Sequence, residues 1–175
     1  MSPTRSALLE PLLALASARI PFVVVGVTGI NFYANDPSQV TVTAGVDVLL
    51  APRIETLRAA LAALAGAGFS FQAGREPFLD VDDEPILRNV LARGATITAQ
   101  DEAGARIDLM LSALGLRFDD LAADAVTFRL GEFEVRVGRL EKLLRAKELA
   151  GRPKDVEFLR MYAARLREQA GEGRG

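Results

Sequence analysis

The sequence predicts an α+β (α/β) protein: a mixed central β-sheet flanked by helices and closed by two C-terminal helices. Three observations predict it. Stretches with the period of an amphipathic helix alternate with short apolar runs rich in β-branched residues. Two pairs of strand-like runs, within 95–111 and 125–137, are joined by turns of hairpin length. Helical periodicity then runs from 139 to 169, broken only at Gly151. The 175 residues suit one domain, read as 1–170, with a disordered tail over 171–175.

In chain order, Ser2-Pro3 is a good start for a first helix over 3–18, where Leu8, Leu12 and Leu15 recur at helical spacing and Pro11 marks a point for a kink. The run 20–25, IPFVVV, is continuous and apolar, as in a strand buried on both faces. Gly26 ends it, and a short helix is expected over 28–33. A turn cluster at 35–38 precedes the most β-like run of the chain, 40–51, VTVTAGVDVLLA. Pro52 ends that run, and Ile54, Leu57, Leu61 and Leu64 form the stripe of a third helix, stopped by Gly66 and Gly68. A brief strand is expected at 69–71, a loop over 74–83 where Pro77 and charged side chains break any period, and a short helix over 84–92. The hairpin arms are 95–99 with 106–111, and 125–130 with 132–137 about Gly131; a short helix over 118–123 separates them. The closing helices are 139–149 and 152–169, with Pro153 well placed in the first turn of the second.

Composition narrows the chemistry. Half the residues are apolar and a quarter charged, enough for a real core. The net charge of -2 gives no strong nucleic-acid signal and no pull towards anionic membrane. No apolar run reaches the roughly 18 residues of a spanning helix, and the N-terminus lacks a signal-peptide pattern, so a cytoplasmic location is expected. The absence of cysteine excludes disulfides and thiolate chemistry; the absence of histidine excludes Ser-His-Asp catalysis and imidazole ligands. Any site must use carboxylates, Lys, Arg, Tyr or hydroxyls. With a metal, it suits a hard ion, Mg²⁺ or Mn²⁺.

Three constellations carry possible chemistry. VVVGVTGINFY, residues 23–33, is a buried strand turning at glycine into a helix, a geometry that serves phosphates but also plain tight connections. Asp47 and Asp108 are single acids in closely similar apolar contexts, VDVLL and IDLML. On neighbouring strands facing one side they would come within a metal's reach; otherwise each caps a strand end or pairs with an arginine. In RLEKLLRAKELAGRPKD, Lys147 falls on the stripe of Leu140, Leu143 and Leu144 and either points inwards or snorkels out at a helix C-terminus. Asp155 suits the first turn of the last helix.

In this order the blocks resemble the nucleotidyltransferase superfamily with the polymerase-β-type fold, and most closely its small bacterial abortive-infection toxin-like members. The corresponding stretches are VGVTGINFY, TAGVDVLL, RIDLML and KELAGRPKD, and the resemblance spans roughly residues 21–166. It implies that Gly26 and Thr28 lie in a turn holding nucleotide phosphates, that Asp47 and Asp108 are metal ligands, and that Lys147 contacts phosphate or orients the acids. The implied reaction moves a nucleoside monophosphate from an NTP to a hydroxyl acceptor with Mg²⁺ or Mn²⁺. Two positions depart from the pattern. Gly45 stands where the first acid of an Asp-x-Asp pair belongs, and Val27 where a second glycine belongs. Asp36, in the preceding loop, is a candidate replacement carboxylate.

These departures lead to an expectation of weakened or lost catalysis, in a nucleotide- or partner-binding module that takes an NTP or an antitoxin-like protein. The alternative is an active metal-dependent transferase in a toxin-antitoxin-like setting. A plain α+β ligand-binding domain is the reading outside the family.

Overall fold

The architecture follows from one strand pair. Phe22–Val25 (β1) is buried at all four positions, and Val46–Leu50 (β2) runs antiparallel to it with Val25 opposite Asp47. The structure is a computed structural model that describes residues 3–35, 40–41, 43, 45–78, 80–113 and 116–172. Around the pair the described chain adds α1 (Pro3–Ser17), α2 (Gly26–Asn31), α3 (Ile54–Gly66), β3 (Ser70–Ala73), β4 (Glu76–Phe78) and α4 (Glu84–Arg93). β5 (Ile97–Gln100), β6 (Arg106–Met110), α5 (Phe118–Ala123), β7 (Val126–Leu130), β8 (Phe133–Val137), α6 (Leu140–Ala150) and α7 (Pro153–Glu172) complete it.

The strands form one eight-stranded mixed sheet in the order β4-β3-β5-β6-β2-β1-β8-β7. Only β2 with β6 and β1 with β8 are parallel. The fold is thus α+β with a mixed sheet and C-terminal helices, as expected. Both predicted hairpins form, β5 with β6 and β7 with β8.

Burial explains the layers. α1 crosses β8, β2 and β6 and packs on α3, which in turn packs on α4. Leu12 and Leu15 of α1, and Leu57, Leu61 and Leu64 of α3, are fully or almost fully buried. Each such side chain contributes about 1.5–3 kcal/mol by leaving water. α2 packs on β2 and on α6, and α6 on α7. Alternation along β2 leaves Asp47 on the α6 side while Val46 and Val48 are buried on the other.

Three expectations need correction. The run 40–51 is strand only from Val46; its described earlier residues, Val40, Thr41, Thr43 and Gly45, lie outside it. The described backbone there is bonded by side chains rather than by a neighbouring strand. β1 ends at Val25, opposite Asp47, and the described groups before Val46 bond elsewhere: the Asn31 side chain takes both backbone groups of Thr41, at 2.9 and 2.8 Å, and the Gly45 carbonyl accepts from Thr28 and Thr43. The loop expected over 74–83 contains β4, an edge strand paired with β3, where Pro77 loses no ladder bond that the sheet needs. The last helix continues through Gly171 and Glu172 of the expected tail; residues 173–175 lie outside the described residues.

Candidate functional site

The two strand-borne acids meet. Parallel pairing of β2 and β6 sets Asp47 directly beside Asp108. Asp47 is pushed up to about 6, first by burial and then by the charge of Asp108. Lys147 and Arg106 oppose that rise. Asp108 has partners of its own. Thr98 of β5, its cross-strand neighbour, donates from Oγ1 to Oδ1 at 2.8 Å. Arg106, two residues earlier on the same face of β6, donates from Nη2 to both carboxylate oxygens at 3.4 Å.

The glycine turn is built around Asp47. Gly26 has φ +67°, in the left-handed region where a Cβ is strained. A Cβ there would also run into the Asp47 carboxylate, lying 3.2 Å from its Cβ and Cγ. Gly26 therefore both turns the chain from β1 into α2 and leaves room for the acid. Thr28 is buried, and its hydroxyl donates to the Gly45 carbonyl at 3.1 Å, an acceptor that Thr43 shares at 3.0 Å. Thr28 thus fixes the entry to β2. Val27 packs against the core.

Gly45 lies opposite Arg106, one step before the Val46–Ile107 pair. A Cβ on Gly45 would come within 2.9 Å of the Arg106 carbonyl oxygen and 3.2 Å of its Cβ and Cγ. The space where the resemblance expects a carboxylate is taken by the stem of an arginine whose head group rests on Asp108. Asp36, the candidate replacement acid, lies outside the described residues.

Lys147 points inwards. Its side chain is only 14% exposed, its Nζ donates to Oδ1 of Asp155 at 3.0 Å, and it sits 5.5 Å from the centre of the Phe158 ring. Asp155 is fully buried. Arg152 clamps it with Nε at 2.6 Å and Nη2 at 3.2 Å, and donates its backbone N–H at 3.3 Å. Burial alone would raise the Asp155 carboxyl, but the bonds from Arg152 and Lys147 outweigh it and hold the group down at about 2. α6 ends at Ala150, capped by Gly151, and α7 starts at Pro153, so this short break brings Lys147, Arg152 and Asp155 together.

These elements enclose a cleft of about 340 Å³. Asp47 and Gly26 form one wall, Lys147, Arg152 and Asp155 another, and Leu143, Met110 and Leu116 supply apolar surface. The structure thus brings Gly26, Asp47 and Lys147 to one cleft, with Asp108 beside Asp47; the hydroxyl of Thr28 is turned to Gly45. Sequence reading passed over Arg106 and Thr98; it placed Arg152 and Asp155 in the KELAGRPKD block of the resemblance, gave Arg152 no role of its own and read Asp155 as a helix-start acid. The signals were present as a same-face i,i+2 pair in RID and an i,i+3 pair in RPKD.

The donor set does not fit a two-ion centre. Such a centre spreads several carboxylates around two cations. Among the described residues no group of three or more acids is placed to hold a metal. Asp47 and Asp108 are the two acids that meet, and Asp108 already carries a guanidinium and a hydroxyl donor. Compared with known proteins, the chain matches no family model, and no curated protein matches it significantly. Among the described residues, no helix is long and apolar enough to cross a membrane.

Proposed function

We propose that this chain is a cytoplasmic protein of nucleotidyltransferase type whose catalysis is weakened or lost, and which uses the Asp47–Lys147 cleft to bind a nucleotide or an antitoxin-like protein partner. One observation carries the reading. Arg106 stands beside Gly45 and pairs with Asp108, where a transferase of this type would gather carboxylates around metal ions. What remains is a binding geometry: an acid pair, inward-facing Lys147, the guanidinium of Arg152, and an apolar wall able to accept a base. The volume of the cleft suits a small ligand such as a mononucleotide, because pockets of a few hundred Å³ bury small molecules.

The second reading, an active transfer of a nucleoside monophosphate from an NTP to a hydroxyl, keeps one specific support. Asp47 and Asp108 are in register on adjacent strands, with Lys147 in the same cleft as Asp47. Calorimetric titration with ATP, GTP, CTP and UTP, each with Mg²⁺ or Mn²⁺, followed by a pyrophosphate-release assay, separates the two. Binding without release is expected. Release that disappears in Asp47→Ala and Asp108→Ala would establish the active enzyme instead.

A further inference from the structure

We propose that the polar end of the cleft takes a small zwitterion: an ammonium group set against Asp47, and a carboxylate or phosphate a few bonds away set against Arg152 and Lys147. The inference goes beyond the nucleotide reading and does not depend on it, because a nucleotide brings no cation for Asp47.

Three observations support it. The first is a charge without a partner. Asp47 lines the cleft, yet among the described residues no cationic side chain bonds to it or pairs with it. Arg106 goes to Asp108, and Lys147 and Arg152 both go to Asp155. A carboxylate partly withdrawn from water and left unpaired costs free energy, and a bound ammonium group would offset that cost. The second is a surplus of donors on the opposite wall. Lys147 and Arg152 share the one acid, so their corner of the cleft carries net positive charge. Arg152 gives Nε and Nη2 to Asp155, and its Nη1 has no partner among the described residues. Nζ of Lys147 also bonds to Asp155, which leaves further N–H donors of that ammonium for a ligand. The third is spacing. Lys147 and Arg152 both act electrostatically on Asp47, but neither closes an ion pair with it. The gap between the walls is therefore wider than a salt bridge and still within reach of its field. A simple anion would meet Asp47, and a simple amine would meet the cationic corner. A molecule bearing both charges satisfies both walls. Leu143, Met110 and Leu116 lie alongside, so its body is apolar, as in an α-amino acid with an aliphatic side chain.

The test titrates the full chain by calorimetry at pH 7.5, above the value of about 6 to which Asp47 is pushed, so that its carboxylate is charged. The probes are L-leucine, 4-methylpentanoate, which lacks the ammonium group, and 3-methylbutylamine, which lacks the carboxylate. A second set, 2-aminoethyl phosphate and ethyl phosphate, replaces the carboxylate by phosphate. At least one zwitterion is expected to bind saturably, and each of its single-charge analogues about tenfold or more weakly, the loss expected from one charged contact. The tighter of the two zwitterions identifies the anionic group. Asp47→Asn should abolish the preference for that zwitterion over its ammonium-free analogue. Arg152→Gln should narrow the preference for L-leucine over 3-methylbutylamine, and Arg152→Lys should restore it. Circular dichroism establishes that each variant is folded; Asp47→Asn keeps the shape of the native side chain and decides the matter by itself. No saturable binding of either zwitterion up to about 10 mM, or a preference for it that Asp47→Asn leaves unchanged, overturns the proposal. Titration with ATP reports on the nucleotide reading separately, and its outcome alters none of these comparisons.

Discussion

Replacing Asp47 by asparagine should make the protein more stable, and by an amount that depends on pH. Asp47 sits partly buried beside a second carboxylate, and its pKa in the folded chain is about 6 against an ordinary 3.8. The folded state therefore holds a proton that the unfolded chain releases. Between about pH 4 and pH 6 the native state binds more protons, so stability falls as pH rises through that window. Above pH 6 the full cost is present. At 1.36 kcal/mol per pKa unit it amounts to about 3 kcal/mol. The asparagine would fill the same space, carry no charge and offer an amide donor to Asp108. Its advantage over the native chain should be about 3 kcal/mol at pH 7.5 and near zero at pH 4, or a Tm difference at neutral pH of about 6–12 °C for a chain of this size. Urea unfolding followed by circular dichroism, run on both proteins from pH 4 to pH 7.5, measures the difference directly. An Asp47→Asn variant no more stable than the native chain at pH 7.5, or a difference that does not change with pH, would refute the reasoning. A residue that costs this much is the kind retained for a site rather than for folding.

Other perturbations probe the rest of the cleft. Asp155→Ala leaves Lys147 and Arg152 without their buried acceptor and should cost about 3–5 kcal/mol in the same urea assay. Because Asp155 is held at about 2, below its ordinary 3.8, the stability it supplies is present above about pH 4 and is lost as the pH falls towards 2; Asp155→Asn should flatten that acid limb of the unfolding profile. Gly26→Ala combines a left-handed backbone with a collision at Asp47 and should lower stability by about 1–3 kcal/mol, with about half of the loss recovered in Gly26→Ala/Asp47→Ala, as a double-mutant cycle would show. The resemblance suggests that Gly45→Asp rebuilds an acid pair; the structure predicts overpacking against Arg106 and a loss of about 1–3 kcal/mol, readable as a lowered Tm.

Local patterns were legible because they depend on neighbours in sequence. The stripe of Leu57, Leu61 and Leu64, the hairpin turn at Gly131 and the break at Gly151 each announced their element without help from the rest of the chain. Elements whose extent depends on a partner were misread. The threonine-rich half of 40–51 has strand composition, but at Thr41 the backbone is bonded by the Asn31 side chain instead of a strand, and β4 forms despite Pro77 because one edge of β3 was open.

The same division holds at the site. The sequence by itself determined that any chemistry rests on carboxylates and cations, and it singled out Asp47, Asp108 and Lys147 through an acid in an apolar strand and a lysine on an apolar stripe. Those signals are local. Only the tertiary structure decided that the two acids stand side by side on adjacent strands, that Lys147 turns inwards to a buried Asp155, and that the Arg106 stem stands beside Gly45. The register between β2 and β6 joins residues about sixty positions apart, and neither strand alone encodes which residue will stand opposite Gly45. A missing carboxylate is visible in a sequence; the residue that stands beside its position becomes visible only when the strands are paired.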